Sequence, residues 1–377
     1  MAFFCDVYNR SGTMVIPFLT VYLTQKGYTL TEAGIVMACF GVGAMVGGYI
    51  GGKLTDRFGF YWVQVFSLLL NGLLFIILSY MQGLWQIAIC IFFLASLGEA
   101  FRPANAAAIA FYSNDSNRTR CYSLNRLAIN LGWAIGPAVG GILASINYNL
   151  LFWADGLTCI TASMLLYFFL FGQKKTSQHQ EENKETEIIS SAYKDKIFLQ
   201  GMFFLWLIGI CFFQLFSMIP VFYRDEVHLS EIMIGWVLAS NGLLIVLIEM
   251  VLVYKLENKR SDVVYMIYGT LLIGISFMLL AIAPFLALVL LSMFFVTFGE
   301  MLLFPFTNSF WVSRSSALNR GQYAALYTMV FALAQVVSPL LSSAIALNFG
   351  FTILFLFDFI LCTIAAFGFI WLRKKIV

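Results

Sequence analysis

The two halves of this chain repeat each other at a spacing of about 202 residues. The residues that match are mainly prolines and charged or polar residues, which bend helices or carry function. They pair as Asn117-Arg118 with Asn319-Arg320, Pro103 with Pro305, Pro137 with Pro339, Asp155 with Asp358, and Ile16-Pro17 with Ile219-Pro220. Because the register holds over five segments, the sequence predicts two similar structural units joined in one chain.

The composition indicates what each unit is made of. Hydrophobic residues make up 61% of the chain and charged residues only 11%, too few to cover a soluble surface. A bilayer core about 30 Å thick takes roughly 20 apolar residues per helix. Such stretches lie at about 1–25, 30–53, 61–82, 84–112, 119–146, 149–172, 197–223, 230–254, 261–283, 284–312, 319–346 and 350–372. We predict an all-α membrane protein with twelve transmembrane helices in two pseudo-symmetric six-helix bundles.

One long polar segment divides the chain. Residues 173–196 have the composition of a solvated tether. The predicted domains are therefore an N-terminal bundle at 1–172, a linker at 173–196 and a C-terminal bundle at 197–377. The first helix begins at Met1 without the usual basic residues ahead of it, so we expect that the natural chain has further residues there.

The distribution of Lys and Arg predicts the orientation. Seventeen lie on the side of the linker, and only Lys26 and Arg224 lie on the other. Since cytoplasmic loops carry the basic excess, both termini and the linker are expected in the cytoplasm. We expect a plasma-membrane location, which is the inner membrane in a Gram-negative cell. The net charge of +3 gives no reason to expect a nucleic-acid partner.

The chain lacks the usual residues of enzymatic and ATP-driven sites. Its two histidines, His179 and His228, lie in polar segments, and none of its seven cysteines has a CxxC partner. No GxxxxGK[ST] sequence is present, so ATP is not expected to be the energy source. We predict no metal site, no cofactor and no enzymatic activity.

Two motifs carry a resemblance to a known family. The segment after the second helix reads GKLTDRFG and contains Gly52, Asp56, Arg57 and Gly59. The fifth helix reads GWAIGPAVGG and contains Gly132, Gly136, Pro137, Gly140 and Gly141. Together with the repeat, these residues resemble the major facilitator superfamily, and the second motif resembles its drug:proton antiporter branch. Phe60 and Tyr61 replace the basic pair that usually closes the first motif.

The first motif has an expected conformational role. Gly52 and Gly59 would permit a tight turn. The Asp56 carboxylate would be favoured at the positive N-terminal end of a helix from the opposite half. The resemblance implies that this is the eleventh helix, near Arg320, and that the contact closes the cytoplasmic side. The alternative is an ordinary solvated loop.

Glycines recur every four residues in helices two and five. We expect Gly43, Gly47, Gly48, Gly51 and Gly52 in helix two, and the three spaced glycines of the helix-five motif, to form smooth faces against which another backbone packs. Pro137 would bend helix five. Such faces would suit helices that slide, and plain packing explains them almost equally well.

Charged residues inside the apolar stretches are the candidate site. Each costs about 2.5–3.5 kcal/mol near the bilayer centre, so they need a reason to be there. Those residues are Asp6, Arg10, Glu99, Arg102, Arg126 and Glu300. We expect them to surround one central cavity, with Glu99 and Glu300 carrying protons and the arginines holding the carboxylates or an anionic part of a substrate. The alternative is structural ion pairs. Asp155 and Asp358 are expected to be structural.

These observations predict a secondary transporter. The helix-five resemblance favours proton-coupled efflux of small, mainly apolar compounds by alternating access. The alternative is proton-coupled uptake of an anionic or zwitterionic nutrient, which the arginines favour. A third reading is a non-transporting membrane sensor on the same fold. The expected partners are a small-molecule substrate, protons and the lipid bilayer, with the protein acting as a monomer.

Overall fold

A computed structural model describes residues 14–113, 118–170, 191–257, 259–316 and 319–376, and all regular elements there are helices. The elements are α1 (Val15–Gln25), α2 (Leu30–Phe58), α3 (Phe60–Leu78), α4 (Leu84–Tyr112), α5 (Arg118–Ile146), α6 (Tyr148–Leu170), α7 (Lys196–Phe212), α8 (Met218–Asp225), α9 (Glu231–Leu256), α10 (Asp262–Ile282), α11 (Leu286–Arg314) and α12 (Arg320–Ile376). Two short 3-10 turns, Ala192–Lys194 and Phe213–Phe216, precede α7 and α8.

These helices correspond to the twelve predicted spans, the first of which is described only from residue 14. Helices α1 to α6 supply six, and α7 and α8 together form the seventh, interrupted at Phe213–Phe216. Helix α12 contains the last two, because Gly350 leaves the helical conformation with φ of 83°. Ten of the helices are long and apolar enough to cross a membrane. The prediction of an all-α membrane protein is confirmed.

Local chemistry sets several helix ends. Thr29 and Glu32 form a reciprocal capping box at the start of α2, which satisfies backbone donors that have no helical partner. Asp195 accepts a hydrogen bond from the backbone N–H of Phe198 and caps α7. Gly59 has φ of 80° and separates α2 from α3. These residues explain why long apolar runs divide at these points.

The described residues fall into two compact units. The first contains residues 14–170 together with Leu229–Leu243, and the second contains residues 191–228 and Leu244 onward. In the first unit α3 packs against α4 and α6, and in the second the equivalent α10 packs against α11 and α12. A buried cluster of Val65, Leu68, Phe101, Ala162 and Leu166 joins α3, α4 and α6.

The sequence repeat reappears as a repeated contact. A Cβ atom added at Gly72 of α3 would meet the Cβ of Cys159 in α6 at 3.1 Å. The equivalent Gly274 of α10 stands in the same relation to Cys362 of α12, also at 3.1 Å. Both cysteines are buried, so they act as small apolar packing residues. The two units therefore repeat the same packing at the level of single side chains.

The glycines of α2 lie on two faces and not on one. Added Cβ atoms at Gly43, Gly47 and Gly51 would overlap the backbone of α4, at Phe92, Ser96 and Ala100. Added Cβ atoms at Gly48 and Gly52 would meet no other atom of the described residues within 4 Å. The expectation of close backbone approach is correct for the first three glycines and wrong for the other two. Neighbouring residues point about 100° apart on a helix of 3.6 residues per turn, so Gly48 and Gly52 face away from α4.

This division gives a matched pair of substitutions. Gly47→Ala should destabilise the protein by about 1–3 kcal/mol, because the new methyl group would overlap the Ser96 carbonyl and force α2 and α4 apart. Gly48→Ala is the control, since its methyl group would enter open space. Thermal unfolding in detergent measures both. Equal unfolding temperatures for the two variants would contradict the close packing of α2 on α4.

Candidate substrate and proton site

Glu99 and Arg102 form an ion pair in the middle of α4. Their spacing of three residues puts them on one face of the helix. The Arg102 Nε and Glu99 Oε2 atoms lie 2.9 Å apart, with 22% of the Glu99 side chain and 60% of the Arg102 side chain exposed. This contact fits both the expected role of Arg102 in the site and the alternative of a structural ion pair. The pair places a carboxylate and an accessible guanidinium side by side within a membrane span.

Glu300 lies at the centre of α11 and is buried, with 6% of its surface exposed. The preceding Gly299 is pressed against α10, where an added Cβ would meet Ile273 Cγ1 at 2.6 Å. This contact fixes the helix backbone next to the glutamate. A carboxyl group held at this depth is costly to ionise without compensation. At this depth, Glu300 is expected to be neutralised by a proton or compensated by a partner group.

The structure tests only part of the predicted cavity. Arg126 lies in α5 with an exposed side chain, in the same compact unit as Glu99 and Arg102. Glu300 belongs to the other unit. Asp6 and Arg10 lie outside the described residues. A shared cavity lined by all six residues stays a prediction.

The loop motif is mainly helical. Helix α2 continues to Phe58, so Gly52 lies inside the helix and does not form a turn, contrary to expectation. The turn is made at Gly59 alone, where the backbone N–H donates to the Thr55 carbonyl at 2.9 Å. Asp56 and Arg57 are exposed on the last turn of α2. The expected contact of Asp56 with the eleventh span, which begins near Arg320 at the start of α12, stays a prediction.

The helix-five motif forms a close-packed face. Gly132, Gly136, Pro137, Gly140 and Gly141 are all buried. An added Cβ at Gly140 would meet the Cβ and carbonyl oxygen of Met14 at 3.2 Å, beside the start of α1. An added Cβ at Gly141 would overlap the Glu231 carbonyl, at the start of α9, and meet Gly235 Cα at 3.1 Å. The expected close approach of another backbone is confirmed at these two glycines.

Glu231 has a second function beyond starting α9. The side-chain amide of Gln25 donates to its Oε1 at 3.0 Å, and the Tyr148 hydroxyl donates to the same atom at 3.4 Å. The three side chains border an open cavity of about 420 Å³ at the ends of α1, α5 and α6. No local sequence pattern connects these residues, because Gln25 lies 206 residues from Glu231.

A second cluster that sequence reasoning missed joins three distant residues of the second unit. The Arg314 guanidinium donates twice to the Asp195 carboxylate, at 2.8 and 2.9 Å, and the Tyr323 hydroxyl donates to it at 2.9 Å. Burial raises the pKa of Asp195, but these donors and the Phe198 N–H lower it by more, so the pKa lies below its ordinary value. This cluster fixes the end of the linker to α7, α11 and α12.

Two buried aspartates occupy equivalent positions in the repeat. Asp155 of α6 accepts hydrogen bonds from the backbone N–H groups of Met14 and Val15, at 3.1 and 2.9 Å. Asp358 of α12 accepts one from the side-chain amide of Gln214, at 2.7 Å. The expected hydrogen-bonding role is confirmed for both. Their partners differ, however, because α1 begins beside Asp155 whereas an interrupted helix lies beside Asp358.

Comparison with known proteins identifies the family. The model described as Major Facilitator Superfamily matches residues 1–339 and 226–376. The chain belongs to the major facilitator superfamily. The resemblance of the loop and helix-five motifs to this superfamily is thereby confirmed. Membership makes this chain a multi-pass membrane protein.

Two curated relatives from the superfamily align over most of this chain. The Na(+), Li(+), K(+)/H(+) antiporter of Planococcus maritimus is 23% identical over 97% of this chain and 92% of its own length. The quinolone resistance protein NorA of Staphylococcus aureus (strain MSSA476) is 20% identical over 88% of this chain and 85% of its own length.

A solved structure shows the same fold. The crystal structure of the peptide transporter POT superimposes with a TM-score of 0.82 at 18% identity, and the match covers 100% of this chain and 94% of the transporter. Two pseudo-symmetric six-helix bundles are thus the architecture of this superfamily member.

Proposed function

We propose that this superfamily member is a secondary transporter that exports small, mainly apolar compounds in exchange for protons. The observation that carries the proposal is Glu300, a carboxyl group 6% exposed at the centre of a membrane-spanning helix. Such a group is favoured only where it titrates or pairs. The Glu99–Arg102 pair supplies a second carboxylate within a span. Relatives named for cation/proton exchange and for quinolone resistance support the assignment.

The proton gradient supplies sufficient energy for export. A membrane potential provides about 2.3 kcal/mol per charge per 100 mV. Each unit of pH difference provides about 1.4 kcal/mol per proton. Exchange of one proton can therefore drive accumulation against a gradient of tenfold or more without ATP.

The proposal includes an orientation and a location. The excess of Lys and Arg on the linker side supports cytoplasmic termini and a plasma-membrane location. The proposed domains are residues 1–172 and 197–377, connected by the linker at 173–196. The protein would act as a monomer, without enzymatic activity, on a small molecule that reaches the carboxylates from the bilayer or from water.

One observation favours the second candidate, proton-coupled uptake of an anionic or zwitterionic nutrient. The Arg102 side chain is 60% exposed within its span, although it is paired with Glu99. A guanidinium with remaining donors can bind a carboxylate or phosphate in two-point geometry. The two candidate functions can be distinguished by direction: in export the substrate and the proton move in opposite directions, and in uptake they move together.

A proton-flux assay tests the function. Purified protein in liposomes with a pH dye inside receives a panel of lipophilic cations, neutral drugs, amino acids and sugar acids. For export by exchange, we expect an added compound to enter as protons leave, so that the lumen becomes more alkaline. Acidification of the lumen would instead establish uptake together with protons. Protein-free liposomes are the control, and no response across the panel would favour a non-transporting sensor.

A further inference from the structure

The equivalent aspartates of the two units are held by different kinds of hydrogen-bond donor. Both Asp155 and Asp358 have 0% of their surface exposed. Both Asp155 oxygens accept hydrogen bonds from backbone N–H groups, those of Met14 and Val15, at the first turn of α1. Backbone donors at a helix N-terminus, with the helix dipole behind them, stabilise a negative charge. These backbone donors offset part of the cost of burying a charge at Asp155.

The surroundings of Asp358 suit a neutral group. Its Oδ1 atom accepts from the Gln214 side-chain amide, but its buried Oδ2 atom has no hydrogen-bond partner in the part of the chain that the structure describes. The Oε1 atom of Gln214 is buried and without a partner in the same way. Burial of a carboxylate whose donors are all neutral, with one of its oxygens unsatisfied, costs several kcal/mol.

Among the described residues, two thiols are the other titratable side chains that interact at this site. Cys211 of α7 is fully buried, and its Sγ donates to the Asp358 backbone carbonyl at 3.7 Å. The same neutral thiol also interacts with the Asp358 carboxyl group. The Cys211 thiol also interacts with Cys362, which lies one turn beyond Asp358 in α12. Neither thiol supplies a positive charge. The carboxyl group must therefore be neutralised by something that binds to it.

The two unpartnered oxygens, Asp358 Oδ2 and Gln214 Oε1, belong to the two side chains that the observed hydrogen bond joins. We infer that Asp358 and Gln214 form a proton-binding site in the second unit, in which a proton on Oδ2 is donated to Gln214 Oε1 and closes a cyclic pair of two hydrogen bonds. Asp155, the equivalent of Asp358 in the first unit, instead has backbone donors to both of its oxygens. Two carboxyl groups in one protein can have different roles when their surroundings favour different protonation states.

The position of Gln214 links this proton to a movement. Gln214 lies in the 3-10 turn Phe213–Phe216, which interrupts the seventh span between α7 and α8. Because Asp358 and Gln214 are 0% and 1% exposed, the proton can leave only when the two side chains separate. An interrupted helix allows such a separation with little disturbance of its flanking helices. This role rests on the proposed proton coupling, and it makes Asp358 a third carboxyl group, in addition to Glu99 and Glu300, that carries or gates protons.

Matched asparagine substitutions test the protonation states. Asp358→Asn should preserve the cyclic pair, because the new amide donates to Gln214 Oε1 and accepts from the Gln214 amide. We expect its thermal unfolding temperature in detergent to equal or exceed that of the unaltered protein. Asp155→Asn replaces one acceptor with a donor that faces the Met14 and Val15 N–H groups, so it should unfold at a clearly lower temperature. Equal losses in both variants would overturn the inference.

Infrared spectroscopy provides a readout that does not depend on transport. In protein labelled with ¹³C at the aspartate carboxyl groups, we expect a carbonyl band of a protonated acid at neutral pH that Asp358→Asn removes and Asp155→Asn retains. Absence of that band would overturn the inference. So would a rise in unfolding temperature on addition of Na⁺ alone that Asp358→Asn abolishes, since a cation would then be the occupant. A band present without any substrate-driven proton flux would instead reject the proposed function and leave the proton site standing.

Discussion

Replacement of Glu300 by Gln should abolish substrate-driven proton flux while the protein stays folded. Gln has nearly the same shape as Glu but cannot take up or release a proton, so coupling is lost without a packing defect. We expect at least a tenfold fall in substrate-driven flux, which corresponds to about 1.4 kcal/mol or more. Glu99→Gln should have the same effect and should also release Arg102 from its ion pair. The dye assay in liposomes measures both variants.

Glu257→Gln is the control. Glu257 is an exposed glutamate just after the end of α9, and it lies outside the candidate site. Its variant should retain substrate-driven proton flux. Full coupled activity in both Glu99→Gln and Glu300→Gln would contradict the assignment of these residues as proton carriers. Binding of substrate without flux in those variants would show that only the proton step is lost.

The Asp195 cluster should contribute measurably to the stability of the second unit. Arg314→Gln removes the guanidinium that donates twice to a carboxylate only 14% exposed, and it leaves that charge with fewer donors. We expect a loss of about 2–3 kcal/mol at neutral pH, typical of hydrogen bonds to charged groups. Thermal unfolding in detergent measures the change. Lys194→Gln is the control, because it removes the same charge from an exposed side chain in the same segment.

The pH dependence of this loss has a definite sign. The pKa of Asp195 is lower in the folded protein than its ordinary value of about 3.9. A depressed carboxyl pKa contributes stability that is fully present above the unfolded pKa and disappears as the pH falls through the folded pKa. The difference between the unaltered protein and Arg314→Gln should therefore be constant from neutral pH to about pH 5 and should shrink below about pH 4. A difference that grew on acidification would contradict the cluster.

The sequence predicted the features that depend on short-range patterns. Span positions follow from runs of apolar residues, so the twelve spans agree with the helices of the structure. The Glu99–Arg102 pair follows from a spacing of three on a helix. The sequence could not show that the turn forms at Gly59 and not at Gly52. Both glycines permit a turn, and only the length of α2 decides between them.

Features that depend on distant partners were not predictable. Asp195 lies 119 residues from Arg314, and no local pattern connects a linker aspartate to the end of the tenth span. The repeat assigned Asp155 and Asp358 to equivalent positions, but it could not show that one faces backbone donors and the other a glutamine. Gly47 and Gly48 are adjacent in the sequence, and only helix packing separates the buried one from the open one.

The repeated glycine–cysteine contact bears on how this chain arose. Gly72 with Cys159 and Gly274 with Cys362 preserve one contact in two places, as expected if a gene for a single six-helix protein was duplicated and fused. An even number of spans returns each copy to the side of the membrane where it began, so the two copies have the same orientation. The ancestor would have assembled as a symmetric homodimer. Fusion then allowed the two copies to diverge, so that one aspartate could keep its backbone donors while its twin acquired a glutamine neighbour.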